Sequence, residues 1–212
     1  PILNVSVKES LDNVYYRKDP KEEKRVVSGI KRSGIDELFS QEGVQQFLKE
    51  VLKDVDLFKN DIPLFLNRFV SPLSSTLATS YYKYYIMDTV MVGNKECIDL
   101  AFVPFNSQSY GFTGRLFITT DGHFAIKKFL LNVPSNINLN FVDNLRITQE
   151  FKQMPDSTWV LDQENTFINF YVIKGAQQLY AHQMRSYNNY DFSTPPDSVF
   201  DVLGSNFVLE SA

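Results

Sequence analysis

Two histidines, a single cysteine and an excess of aromatic rings are the residues of this 212-residue chain that could do chemistry. His123 falls in a Thr-Asp-Gly-His corner and His182 in a late strand-like stretch. Neither has a second His or a Cys at ligand spacing, so both read as turn or edge-strand residues. Cys97 sits beside Ile98 in an apolar run, where a small buried thiol is the default; a nucleophile would need a neighbouring base and a lowered pKa. A lone cysteine also forms no intramolecular disulfide and no thiolate zinc cage, so neither metal nor cofactor is expected. Many serines occur, but no G-x-S-x-G elbow.

"GFTGR" at Gly111–Arg115 superficially resembles a phosphate loop, yet it lacks that motif's second half and runs into a strand rather than a helix. Gly114 inside a strand reads instead as a bulge or a close backbone approach. Asp99 and Asp143 can be posed as a glycosidase couple, although the sequence alone gives no separation. The sharpest feature is aromatic, with 18 Phe and 11 Tyr. "YYKYY" (Tyr81, Tyr82, Tyr84, Tyr85) and "YNNY" (Tyr187, Tyr190) put phenols on both faces of their strands. Carbohydrate platforms, protein interfaces and plain packing layers all use such rings.

These residues need elements to hold them. Hydrophobic residues make up 43% of the chain and charged ones 22%, which supplies a sizeable core. The net charge of −4 argues against a general nucleic-acid surface. No apolar run reaches the ~20 residues of a membrane-spanning helix, and no secretory signal is present. The chain opens at Pro1 on a strand-like alternation without an initiator Met, which reads as a fragment of a longer protein.

Three regions emerge. In residues 1–80, Leu3, Val5 and Val7 alternate like an edge strand, and "YYRKDPKEEKR" reads as a solvated turn and short helix. Val44, Phe47, Leu48, Val51, Leu52 and Val55 then form one stripe of an amphipathic helix, capped by Ser40 and ended by prolines no later than Lys59. Residues 81–192 are strand-like almost throughout, with hairpins turning at Gly93-Asn94 and at Asp121-Gly122. Leu145, Ile147 and Phe151 alternate with Arg146, Thr148 and Glu150. Residues 193–212, with a double proline, look like an exit linker, and 1–192 is expected to be one structural domain.

Seven or eight strands joined by short turns must form an antiparallel meander. Several are apolar on both faces: Phe167, Tyr171 and Ile173 oppose Ile168, Phe170 and Val172. Burying a Phe or Ile side chain is worth roughly 1.5–3 kcal/mol, so a wholly wet face would be costly. The expected fold class is α+β: a mainly antiparallel, curved half-barrel sheet with the amphipathic helix covering its concave face.

Four stretches then resemble, in order and spacing, the middle of a large Gram-negative outer-membrane family of unknown function. They are "VKESLDNVYYRKDPKEEKRVVSGIKRSG", "NDIPLFLNRFVSPLS", "YYKYYIMDTVMVGNKECIDLAFVPFNSQSYGFTGRLFITTDGHFAIKKF" and "NINLNFVDNLRITQEF". Members of that family start with a signal peptide and a carboxypeptidase-regulatory-like β-sandwich, and continue into a part that looks like an outer-membrane β-barrel. The resemblance implies a place on the periplasmic side of the outer membrane and offers no catalytic residues. Residues 94–102 and 112–118 also resemble the strand pattern of lipoprotein-carrier (LolA-like) half-barrels, a likeness of fold alone.

Three functions follow as expectations. The first is a non-enzymatic periplasmic module that offers its concave face to a lipid, a lipoprotein acyl chain or a partner segment, through Val44, Phe47, Leu48, Val51, Leu100, Phe102, Leu116 and Ile118. The second is a structural or interaction domain with a filled core, contacting other domains of the same protein through its tyrosines and the "PKEEKR" loop. The third is a glycan hydrolase built on paired carboxylates.

Overall fold

The computed structural model describes residues 6–34, 42–64, 67–73, 76–137, 139, 142–171 and 178–201. The chain divides into two units, Pro1–Gln46 with Asn189–Ala212, and Phe47–Asn188. Residues 47–80 thus belong with the sheet, and the start of the expected exit linker belongs with the N-terminal strands. Leu3, Val5 and Ser40 lie outside the described residues.

The first unit is built on β1 (Ser6–Arg17) and β2 (Glu22–Gly34), paired antiparallel from Ser6 opposite Gly34 to Arg17 opposite Glu22. The expected short helix in the charged stretch is absent: residues 18–21 turn, and Glu22 onward is already strand. Strand alternation lets opposite charges meet across the ladder, which a helix here would separate. Arg17 pairs with Glu22 at 2.6 Å and Arg25 approaches Asp12 at 3.9 Å. Arg17 also holds Asp197 at 3.2 Å and lies 4.4 Å from the Phe200 ring centre. Lys24 donates to the Val199 carbonyl at 2.6 Å, so the residues after Pro196 are tied to the hairpin.

Helix α1 (Glu42–Val51) is shorter than the stripe that announced it. Leu52 and Val55 keep inward positions after the helix has ended, Val55 being 9% exposed. The hairpin of β3 (Asp61–Leu64) and β4 (Asn67–Val70) and the short α2 (Ala78–Tyr81) follow. Then come β5 (Tyr82–Val92), β6 (Lys95–Pro104), β7 (Thr113–Thr119), β8 (Ile126–Asn132), β9 (Val142–Gln153), β10 (Trp159–Tyr171) and β11 (Gln178–Ser186); α3 (Ser198–Asp201) is in the first unit. The seven strands β5–β11 lie in sequence order as one antiparallel meander, open at β5 and β11. This is the α+β, curved antiparallel architecture that the sequence predicts, without barrel closure.

Register shifts at Ile86/Asp88, Phe117/Ile118, Leu161/Gln163 and Asn169/Phe170 bend the strands, as bulges do. Gly93, at φ +62°, makes the two-residue turn between Val92 and Lys95. The Asp121-Gly122 corner is part of a longer loop over residues 120–125. There Asp121 accepts from Thr119 Oγ1 at 2.9 Å and Lys95 Nζ at 3.0 Å, and the Lys95 bond leads in lowering its pKa to about 2. Gly114 marks a close approach rather than a bulge: a Cβ there would lie 1.9 Å from the Leu130 carbonyl oxygen and 2.8 Å from the Phe102 ring.

The core lies on one face of the meander. Phe102, Leu116, Phe129, Leu145, Ile147, Ile168 and Phe170 are at most 2% exposed. Leu57, Ile62, Leu64 and Phe69, at most 3% exposed, belong to the same cluster, so the loop after α1 and the β3–β4 hairpin do most of the covering. Phe47, Leu48 and Leu52 pack against it, with Phe47 and Phe170 ring centres 4.8 Å apart.

Candidate functional site

Six of the eight residues proposed for the concave face fall in or against this core. Phe102 and Leu116 are fully buried cluster members, and Leu100, Ile118, Phe47 and Leu48 are half-buried against it. Val44 is 4% exposed. Val51 closes α1, and its side chain lies outside the described residues.

A polar row crosses this apolar face. The register sets Gln149 of β9, Glu164 of β10 and Arg185 of β11 side by side. Gln149 Nε2 donates to the Glu164 carboxylate and, at 2.9 Å, to the Val55 carbonyl. Arg185 donates to Glu164 Oε1 at 2.7 Å, to the Asp54 carboxylate and, at 2.8 Å, to the Leu52 carbonyl. Burial pushes the Glu164 pKa up, against the hydrogen bond from Gln149 and the charge of Arg185. The row therefore latches residues 52–55 onto the sheet.

The tyrosines divide. Tyr82 and Tyr84, expected as recognition residues, turn inward. Tyr82 is 1% exposed, donates to the Val70 carbonyl at 2.6 Å and accepts from the Phe112 N–H at 3.1 Å. Tyr84 donates to the Pro72 carbonyl at 2.6 Å. A buried phenol needs such a partner, and these carbonyls fasten residues 70–72 to the edge of the sheet. Burial pushes both phenols up. Tyr81 is half-buried against the core, and Tyr85 faces solvent at 50% exposure. Tyr187 follows β11, with its N–H bonded to the Asp162 carbonyl at 2.9 Å, and Tyr190 in the other unit stacks 6.2 Å from Phe192.

The outer face of β9–β11 carries a cleft of about 270 Å³ lined by Asn144, Arg146, Phe167, Asn169 and Tyr180. Two cross-strand rows build it: Arg146, Phe167, His182, and Asn144, Asn169, Tyr180. His182 stacks flat on Phe167, 4.0 Å and 10° apart, with its Nε2 3.2 Å from Asn165 Oδ1. Tyr180 stands 6.2 Å from Phe167. Arg146 donates from Nε to Asn132 Oδ1 at 3.1 Å and forms no ion pair among the described residues. Sequence reasoning passed over this group, apart from His182 as an edge residue, Arg146 as the polar side of an alternation, and Phe167 as one face of a strand apolar on both. Its one signal is outward parity on β9 and β10, which names no cleft until three strands are in register.

The other candidates disperse. Asp99 on β6 takes Arg115 at 2.7 Å, and Asp143 on β9 accepts from Gln178 at 3.0 Å. The register carries Asp99 through Phe117 and Lys128 to Glu150 of β9, seven residues from Asp143, so three strand spacings and about 23 Å of strand separate the two residues, wider than either glycosidase geometry. Cys97 is fully buried and burial pushes its thiol up, as the default reading has it. His123 sits exposed in its loop, its N–H 3.3 Å from Asp121 Oδ1. Among the described residues no cluster of three or more His, Cys, Asp or Glu could hold a metal, and no helix is long and apolar enough to cross a membrane.

No curated protein and no solved structure matches the chain. Its residues 3–190 match the model of a family of unknown function, DUF5686, and the chain belongs to that family.

Proposed function

We propose that this chain is a non-catalytic module on the periplasmic side of an outer-membrane protein, which positions neighbouring domains and meets a partner through the outward surface of its sheet. The observation that carries this reading is the filling of the inner face by the chain's own residues, Leu57, Ile62, Leu64 and Phe69. A lipid or acyl chain seated there would have to displace side chains whose burial is worth roughly 1.5–3 kcal/mol each. The likeness to lipoprotein-carrier half-barrels supports the curved sheet and carries no ligand with it. The periplasmic placement is supported by the resemblance to outer-membrane proteins that flank such a segment with a β-sandwich and a barrel.

The test has two arms. The chain is used to pull down the separately expressed β-sandwich and barrel parts of its parent protein, and native mass spectrometry is run on the chain purified from cells. Co-purification with at least one part, and a mass without bound lipid, is the expected result. A chain that ignores both parts, or that carries one acyl lipid per molecule, overturns the reading.

A further inference from the structure

We propose that the cleft on the outer face of β9–β11 binds an acidic sugar, a pyranose bearing a carboxylate. This names the ligand class for the outward surface and rests on the reading of the chain as a recognition module.

The rings come first. Tyr180 is 47% exposed beside Phe167, and the flat His182 stack fixes Phe167, so its apolar surface is offered with little rotamer entropy left to lose. A pyranose presents apolar C–H faces that such rings cover. Next come the amides. Asn144 and Asn169 stand opposite each other on the β9–β10 ladder, and neither side-chain amide has a hydrogen-bond partner among the described residues. An amide offers donors and an acceptor together, which is what vicinal hydroxyls require.

Arg146 supplies the charge preference. Asn132 takes its Nε, which fixes the plane, and neither Nη group has a partner among the described residues, so both can meet a carboxylate in a bidentate pair. The volume, about 270 Å³, falls just under the ~300–1,000 Å³ of sites that enclose drug-sized ligands, so it suits one ring-sized group. A lipid chain fits poorly between two amides and a guanidinium.

The test titrates the whole chain, by calorimetry and saturation-transfer NMR, with trigalacturonic acid, its fully methyl-esterified form, acetate, and a tripeptide with a free C-terminus. The acid is expected to bind at least about tenfold more tightly than the ester, with acetate and the tripeptide weaker still. Arg146→Lys and Tyr180→Ala are each expected to weaken the acid about tenfold at an unchanged unfolding midpoint. The proposal is overturned by equal binding of acid and ester, by acetate or the tripeptide matching the acid, by no binding at millimolar concentration, or by variants that bind like the wild type. If the sugar fails while the pull-down succeeds, this proposal alone falls; a failed pull-down removes the module reading as well.

Discussion

Two arginines on this sheet have opposite fates. Arg185 of β11 points inward, 19% exposed, and its guanidinium is used up by Glu164, Asp54 and the Leu52 carbonyl. Arg146 of β9 points outward, and among the described residues it is tied only through Nε to Asn132. Each belongs to a row of three side chains across β9, β10 and β11: Gln149–Glu164–Arg185 on one face, Arg146–Phe167–His182 on the other. The inner row closes on itself and anchors a loop, whereas the outer row ends in groups whose donors still face water. Residue type does not separate the two arginines; saturation of their hydrogen-bonding groups does.

The strongest way to break the comparison is to truncate one ring on each face of β10. Phe170→Ala removes a 1%-exposed ring stacked near Phe47 and is expected to lower stability by about 3–5 kcal/mol, read from the denaturant midpoint. Phe167→Ala, on the outer face, is expected to cost less than about 1 kcal/mol, since it loses a stack in an open site. Equal losses would mean the outer face is as much a core as the inner.

Next in size is the latch itself. Arg185→Met leaves Glu164 buried without its cation and is expected to cost about 3 kcal/mol. Adding Glu164→Leu to the same chain removes the orphaned charge and is expected to recover most of that loss. Failure to recover would show that the carbonyl of Leu52, not the ion pair, is what Arg185 holds.

The inner row also explains what was legible in the sequence and what was not. The alternation of Leu145, Ile147 and Phe151 with Arg146, Thr148 and Glu150 reads directly onto β9, because a strand has only two faces and the apolar set chooses one. Gln149 and Glu164 share that inward parity, but polar residues at inward positions read as exceptions until their partners are known. The α1 stripe overran its helix for the same reason: Leu52 stays half-buried and Val55 buried, yet side chains from β11 and β9 satisfy their carbonyls, so the chain leaves the helix without stranding them. The tyrosines of β5 misled because a phenol can serve as anchor or as platform, and only the carbonyls of Val70 and Pro72 decide which. The cleft is least legible of all: Asn144, Asn169 and Tyr180 meet only through the register of β9–β11.

A smaller effect is the pH dependence. Burial raises the Glu164 pKa above its ordinary value of 4.5, so holding the carboxylate charged is harder in the fold than in the unfolded chain. Such a group contributes stability in full below the ordinary value and loses it as pH rises through the folded value. Unfolding midpoints of the wild type and of Glu164→Gln, measured in parallel from pH 4 to 7, are thus expected to shift against each other, with the wild type losing ground as pH rises. Parallel curves would show that Gln149 and Arg185 fully offset the desolvation of the carboxylate.

The smallest effect carries the comparison furthest. Arg146→Met removes an arginine from the same sheet as Arg185→Met does, with the same loss of charge and nearly the same loss of volume. Because Arg146 faces solvent and breaks only the bond to Asn132, the unfolding midpoint is expected to move by less than about 0.5 kcal/mol. A cost approaching that of Arg185→Met would mean that Arg146 braces β8 against β9, and the cleft would then be a by-product of packing. A neutral result leaves an arginine held beside two amides and a fixed aromatic pair without itself contributing to stability, which is what is expected of a group positioned to meet a ligand.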